Sequence, residues 1–103
     1  MTTILIPFAD LLRQHREEQA LPLRAVAAAL HVDISLVSKW ERGERKPSRD
    51  EVDALAKCLK ADRKELLVAY LRDKVMYEVQ DDEFALEALK AAEAQVKYKA
   101  KKP

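Results

Sequence analysis

The stretch LPLRAVAAALHVDISLVSKWERGERKPS, residues 21–48, decides the fold of this chain. It contains two short segments, residues 23–30 and 34–42, in which apolar side chains recur at helical spacing. Pro22 favours a helix start because its fixed φ suits the first helical position. The break at residues 31–33 leaves room only for a tight turn. The pattern therefore predicts two short helices joined by a turn.

The residues around the second segment are of the kinds that begin and end helices. Asp33 is a good N-cap because its carboxylate can accept hydrogen bonds from the free N–H groups of a first turn. Gly43, the only glycine of the chain, fits the position just past a helix end. His31 lies in the turn, where glycine is favoured if φ is positive and histidine is tolerated better than most residues. We therefore expect a structural role for His31.

The remaining sequence also favours helices over strands. Glycine is nearly absent, hydrophobic residues make up 49% of the chain, and no strand-like alternation is present. Ser48 and Glu51 match a capping box, and Asp62 with Glu65 forms an Asp-led version of it. The chain is therefore predicted to be all-α. Further helices are expected at residues 7–19, from 48 through 59, at 63–79 and at 83–98.

Composition excludes several classes of protein. No apolar run approaches the roughly 20 residues that a membrane-spanning helix requires, and the single cysteine, Cys58, excludes a disulfide framework. Cysteine usage makes the cytoplasm the expected location. His15, His31 and Cys58 lack metal-ligand spacing, and the sequence has no glycine-rich phosphate loop. We therefore predict no enzyme activity, no metal, no cofactor and no small-molecule ligand.

Positive charge is concentrated in one place, although the formal net charge is only +1. Residues 39–49 hold five Lys or Arg against two Glu. Val37 and Trp40 are expected to face the core, and four polar residues at i, i+3, i+4 and i+7 share the outward face. They are Ser35, Ser38, Lys39 and Arg42. Such a face can enter a DNA major groove, but a basic run after a helix is more often a solvated loop. The residues alone leave both interpretations open.

The segment 21–48, together with VDALAKCLKADRKEL at residues 52–66, resembles the lambda-repressor/Cro-like group, often called XRE-type regulators. The resemblance covers about residues 8–68, over which the apolar positions, the turn and the SKWERG ending agree. It implies a lambda-repressor-like five-helix domain with a helix-turn-helix over residues 1–67. It also implies a third helix that enters the major groove of double-stranded DNA.

The resemblance implies roles for individual residues. Those expected to face DNA bases are Ile34, Ser35, Ser38 and Lys39. Those expected to contact phosphates are Arg24, Arg42, Arg45 and Lys46. Arg16 and Glu41 are expected to form a partly buried pair that links helix 1 to the end of helix 3. The family often has Ser/Thr-Gln where this chain has Pro22-Leu23, and Ile34 can either touch a thymine methyl group or pack.

Residues 68–103 are predicted to form a C-terminal helical extension, made of the end of helix 5 and a sixth helix, with a basic frayed tail at 99–103. An apolar stripe on a helix needs a partner. The candidates for dimer contacts are Leu67, Tyr70, Leu71, Val75 and Leu89. The leading hypothesis is a transcription regulator that binds an inverted-repeat operator as a homodimer. The alternative is a protein-interaction module, such as an antitoxin or adaptor, whose C-terminal helices bind another protein.

Overall fold

Six α-helices follow one another in the part of the chain that the computed structural model describes, residues 6–101, and no strand occurs within that range. Their bounds are Phe8–Glu18 (α1), Leu23–Leu30 (α2), Ile34–Glu41 (α3), Arg49–Cys58 (α4), Arg63–Val79 (α5) and Ala85–Lys101 (α6). The all-α prediction is confirmed. None of these helices is long and apolar enough to cross a membrane. The described residues divide into two compact units, 6–73 and 74–101.

The core of the first unit forms around the inner side of α3. Val37 and Trp40 are 0% and 1% exposed, so the prediction that Trp40 belongs to the core is confirmed. α3 packs against α2 and α1, and α2 also packs against α4. The other core side chains are Phe8, Leu11, Leu12, Val26, Ala27, Val52, Leu55, Ala56, Leu59, Leu66, Leu67, Ala69 and Tyr70. Fully burying a side chain of Val or Leu size contributes about 1.5–3 kcal/mol, which makes this cluster the main source of stability.

Four helices of the first unit end in the same kind of turn, in which one residue has a positive φ. These residues are Ala20, His31, Gly43 and Lys60, with φ of 54°, 58°, 74° and 53°. After α3, the Gly43 N–H donates to Trp40 O at 3.2 Å and the Glu44 N–H donates to Lys39 O at 2.9 Å. This is the Schellman arrangement, and it confirms the predicted position of Gly43 just past a helix. In the turn between α2 and α3, His31 has a positive φ, the condition under which glycine is favoured at this position.

The starts of α3 and α4 differ in how their free N–H groups are satisfied. α4 has the predicted capping box, since the Glu51 N–H donates to Ser48 Oγ at 3.2 Å and the Ser48 N–H donates to Glu51 Oε1 at 2.8 Å. At the start of α3, Asp33 has the extended backbone of an N-cap, but its side chain makes no capping hydrogen bond. The capping contribution of Asp33 is therefore smaller than its residue type predicts.

The prediction of a second capping box, at the start of α5, is wrong, because only the Asp62 half of it forms. Asp62 Oδ1 accepts a hydrogen bond from the Lys64 N–H at 3.0 Å. Glu65, the residue expected to return the bond, instead has its Oε1 2.8 Å from His15 Nε2 on α1. The carboxylate therefore ties two helices together rather than closing the first turn of its own helix.

Leu67 and Tyr70 lie in the core, which corrects their prediction as dimer contacts. Each side chain is 5% exposed, so neither offers surface to a partner. The Tyr70 hydroxyl donates to Pro47 O at 2.8 Å. Its ring meets the Phe8 ring edge to face, with the centroids 5.7 Å apart. The apolar stripe of α5 thus begins as part of the first unit's own core.

Contacts made by Arg72 and Asp73 extend the first unit beyond its predicted end at residue 67. The Phe8 N–H, first in α1, donates to Asp73 Oδ2 at 2.9 Å. Arg72 Nη2 donates to Ile6 O at 2.5 Å and to Asp73 Oδ1 at 2.8 Å. The residue before α1 makes no side-chain capping bond. A carboxylate from α5 therefore caps α1, and the boundary between the two units falls after residue 73.

The second unit consists of the end of α5 and all of α6. No residue of α6 is buried, and Val75 on α5 is 44% exposed. Leu89, the α6 residue predicted to contact a partner, is half-buried. Most of the large apolar side chains in this unit are therefore open to solvent.

The ends of α6 differ by two or three residues from the prediction. The helix begins at Ala85 because the preceding turn is closed by a bond from the Phe84 N–H to Asp82 Oδ1 at 2.8 Å. It continues through Lys101, so residues 99–101, predicted as a frayed tail, are helical. Lysines in a last turn interact favourably with the partial negative charge at a helix end. Residues 102–103 lie outside the described residues.

We expect Lys60→Gly to raise the free energy of unfolding by about 0.5–1 kcal/mol, because glycine adopts a positive φ without the steric cost of a β-carbon. Lys57→Gly is the matched control, since it makes the same exchange inside α4, three residues earlier. It is expected to lower the free energy of unfolding by about 1 kcal/mol. Denaturant unfolding of both variants measures the two changes. Two changes of the same sign would contradict the left-handed conformation of Lys60.

Candidate nucleic-acid interface

α3 separates an apolar inner side from a polar outer side. On the outer side, Ile34 is 49% exposed, and Ser35 and Lys39 are also exposed. Ser38 lies between them in sequence and is half-buried. The structure therefore brings the four residues predicted to face DNA bases onto one face of a single helix. About half of the surface of Ile34 remains available to a ligand.

Arg42 follows α3 directly and is held by two neighbours. Its Nη1 donates to Ser38 Oγ. Its Nε donates to Glu44 Oε2 at 2.8 Å, and its Nη2 donates to Glu44 Oε1 at 3.1 Å. The guanidinium predicted to contact a phosphate is thus bound in a bidentate manner to a carboxylate of the chain. Glu44 was not among the predicted site residues, although the Arg-Gly-Glu order at the end of α3 is the pattern that could have indicated it.

Pairing shifts the pKa values of both Arg42 and Glu44. The hydrogen bond to Glu44 raises the pKa of Arg42, against the opposing effect of desolvation. The same hydrogen bond lowers the pKa of Glu44, and the positive charges of Arg42 and Lys39 lower it further. Because the pKa of Glu44 is lowered, its carboxylate stays charged and paired with Arg42 at pH values near the ordinary carboxyl pKa. The pair is lost only as pH falls through the lowered pKa of Glu44.

The loop between α3 and α4 carries two of the other cations predicted to contact phosphates. Arg45 and Lys46 are exposed there, whereas Arg24 is exposed on α2. Both ends of the loop are fixed, one by the Schellman turn after α3 and the other by the hydrogen bond from Tyr70 to Pro47 O. The loop therefore presents its positive charges from a restrained backbone.

Glu41, the last residue of α3, is 6% exposed and forms an ion pair with Arg16. Arg16 Nε donates to Glu41 Oε2 at 2.6 Å and Nη2 donates to Oε1 at 2.9 Å. Arg16 Nη1 also donates to Leu21 O at 2.8 Å. The hydrogen bond to Glu41 raises the pKa of Arg16; burial opposes this, and the charges of Glu41 and Glu17 add to it. The guanidinium thus joins α1 to the end of α3, as predicted, and it also binds the segment before α2, which was not predicted.

Other ionisable side chains have structural surroundings. Within residues 6–101, no group of three His, Cys, Asp or Glu side chains could hold a metal ion. Burial raises the pKa of the Cys58 thiol above its ordinary value, which makes it a weak nucleophile at neutral pH. His15 has one ring nitrogen 2.8 Å from Glu65 and the other 3.5 Å from Glu18. Both nitrogens of His15 therefore face carboxylates of the same unit.

Known proteins are similar to this chain over the part that contains α3 and the basic loop. A family model described as a helix-turn-helix domain matches residues 7–68. The chain belongs to the XRE-type helix-turn-helix family. It is similar to the restriction-modification controller protein C.AhdI from Aeromonas hydrophila, with 31% identity and a TM-score of 0.55 over 63% of this chain and 98% of that one.

A second solved structure is similar in fold. It is the clp gene regulator ClgR from C. glutamicum, with 24% identity and a TM-score of 0.56 over 64% of this chain and 86% of that one. Among proteins with curated descriptions, no similar sequence was found. Membership of the XRE-type family confirms the lambda-repressor-like fold and makes the chain a DNA-binding transcription regulator rather than an enzyme.

We expect Glu41→Leu to lower the free energy of unfolding by roughly 3 kcal/mol, because it leaves the partly buried Arg16 guanidinium without its partner. Arg16→Met combined with Glu41→Leu is expected to recover most of that loss, since two apolar side chains of similar volume then meet. The exposed pair of Arg13 and Asp10 provides the control, and Arg13→Met should change stability by less than about 1 kcal/mol. Denaturant unfolding measures all three. A double variant as unstable as Glu41→Leu would contradict the explanation by an unpaired charge.

Proposed function

We propose that this XRE-type regulator binds, as a homodimer, an operator made of two inverted half-sites, with one α3 in the major groove at each half-site. The observation that carries the proposal is the division of α3 into a buried inner side and an accessible polar outer side that runs into a basic loop. One module of this size makes few base contacts. Pairing doubles them and spaces the two helices about one turn of DNA apart, roughly 34 Å.

On this proposal the outer side of α3 contacts base edges. The long side chain of Lys39 can reach guanine O6 and N7. Ser38 Oγ already accepts a hydrogen bond from Arg42, so its hydroxyl is expected to act as a donor toward DNA. Ser35 is a small donor or acceptor beside it. The exposed apolar surface of Ile34 fits a thymine methyl group better than it fits a polar base edge.

The cations around α3 are proposed to contact phosphates. They are Arg24, Arg42, Arg45 and Lys46. Contacts of this kind position the helix and supply most of the salt-dependent affinity without selecting a sequence. The fixed ends of the loop after α3 support the assignment of Arg45 and Lys46, because a restrained backbone loses less conformational entropy when it binds.

The exposed apolar residues of α5 from Val68 onward and those of the segment through α6 are proposed to form the dimer contacts. Leu71 and Val75 are each 44% exposed, and Leu89 is half-buried. The other exposed large apolar residues of this region are Val68, Met76, Tyr77, Phe84, Leu86, Val96 and Tyr98. Exposed apolar side chains in this number are expected at protein interfaces. We favour a second copy as the partner, because two-fold pairing has the symmetry of an inverted repeat.

Selection of bound duplexes from a random pool, combined with mass measurement of the free protein, tests the proposal. The expected result is an inverted repeat bound by a dimer, with affinity that falls steeply as salt rises. Failure to enrich any sequence at low salt would contradict the operator. A monomer that forms a stoichiometric complex with a different protein would contradict the homodimer and favour an antitoxin or adaptor.

We expect Lys39→Ala and Arg45→Ala to affect DNA binding in different ways. Lys39→Ala should lower discrimination between the selected operator and single-base variants by about tenfold or more, because a base contact is lost. Arg45→Ala should weaken all duplexes by a similar factor and reduce the salt slope by about 0.9 per subunit. Lys64→Ala, an equal charge change on α5, is the control. Titrations at several salt concentrations measure the effects, and identical behaviour of the two variants would contradict the division of roles.

We expect Val75→Glu to convert the dimer to a monomer, because a charge would be buried without a partner at the proposed interface. The site is exposed in the single chain, so the unfolding midpoint of the monomer should change little. Gln14→Glu on the exposed side of α1 adds the same charge elsewhere and should leave the mass unchanged. Sedimentation or light scattering provides the mass. A Val75→Glu protein that remains dimeric would exclude this face from the interface.

A further inference from the structure

The bidentate pair of Arg42 and Glu44 places a negative charge within the proposed DNA-binding surface. Most of the positive charges around α3 belong to exposed side chains, and Glu41 is buried against Arg16. Glu44 is different, because its side chain is 54% exposed and both of its oxygens bind the guanidinium of Arg42, whose side chain is 51% exposed. A phosphate that approaches Arg42 therefore meets an arginine that already donates to Glu44 through Nε and Nη2 and to Ser38 through Nη1.

The backbone keeps Glu44 in this position. Gly43 has a φ of 74°, which allows the chain to turn back at the end of α3. The Glu44 N–H then donates to Lys39 O at 2.9 Å, so Glu44 is held against the last turn of α3, which Arg42 directly follows. The carboxylate is consequently present at high local concentration, whereas each phosphate has to be brought in from a separate molecule.

We propose that Glu44 is a specificity-determining residue that keeps Arg42 from phosphates in non-specific complexes and releases it only in the close fit at the operator. The inference rests on the proposed function, since it requires the Arg42 side of α3 to lie against DNA. In this role Glu44 contacts neither a base nor a phosphate; it acts on DNA binding only through Arg42. Non-specific affinity arises almost entirely from phosphate contacts. Removing one such contact per subunit therefore weakens competing sites more than the operator.

Glu44→Gln tests this role because it removes the charge and keeps the shape of the side chain. The expected result is an increase of about two- to fivefold per subunit in affinity for a random-sequence duplex, the range associated with an exposed ion pair. The dependence of log affinity on log salt should become steeper by about 0.9 per subunit, because Arg42 then binds one phosphate. Affinity for the selected operator should change less, so the ratio of specific to non-specific affinity should fall.

Asp10→Asn is the matched control. It also removes one charge from an exposed ion pair with an arginine, that of Asp10 and Arg13, but on α1. It should not change the ratio of specific to non-specific affinity. If Glu44→Gln and Asp10→Asn have the same effect on both duplexes, the inference is overturned while the proposed operator binding stands. If the parent protein binds no duplex at low salt, the proposed function and this inference fail together.

A second background separates occupation of Arg42 from direct repulsion of DNA by Glu44. In Arg42→Gln protein, no guanidinium remains for the carboxylate to occupy, so adding Glu44→Gln should leave non-specific affinity within about 1.5-fold, close to the lower end of ion-pair effects. If Glu44 instead repelled DNA directly, Glu44→Gln would raise non-specific affinity equally with and without Arg42. Equal gains in the two backgrounds would overturn the inference. Filter-binding or anisotropy titrations on the same random duplex compare the parent protein, Glu44→Gln, Arg42→Gln and the double variant.

Discussion

Burial of one side of α3 is the constraint on which the rest of the structure depends. A helix of eight residues is too short to persist alone in water, so α3 exists because Val37 and Trp40 are enclosed by the core. The same enclosure leaves only the opposite side of the helix for a ligand. The residues that stabilise α3 and those that we propose to contact DNA therefore lie one or two positions apart, and a change to the inner side moves the outer side with it.

Distant parts of the chain hold the surroundings of α3 in place. Tyr70 fixes the carbonyl of Pro47 at the end of the basic loop, and Asp73 caps the first N–H of α1 at Phe8. Both residues lie on α5, beyond the last position that matches the helix-turn-helix family. The early part of α5 is thus a buried support for the domain. Its later part, together with α6, exposes the apolar residues that we assign to dimerisation.

The sequence predicted features whose causes are local. Periodic apolar residues give the helices, Gly43 marks the end of α3, and Ser48 caps α4, because each depends on a few neighbouring residues. Contacts between residues far apart could not be predicted in this way, as the bonds from Glu65 to His15 and from Asp73 to Phe8 illustrate. The stripe on α5 predicted burial without identifying the partner, so Leu67 and Tyr70 were assigned to the wrong one. The pair of Arg16 and Glu41 came from the family resemblance.

The contacts of Arg16 have a consequence for the direction of α3. The hydrophobic effect has no preferred direction, whereas a bidentate pair tolerates only a narrow range of angles. Arg16 binds Glu41 at the last turn of α3 and Leu21 O just before α2, so it registers both helices of the motif against α1. A helix that enters a groove has to be held in a fixed orientation as well as at a fixed position. The bidentate contact of Arg16 therefore restricts the direction in which α3 presents its outer side to the proposed DNA partner.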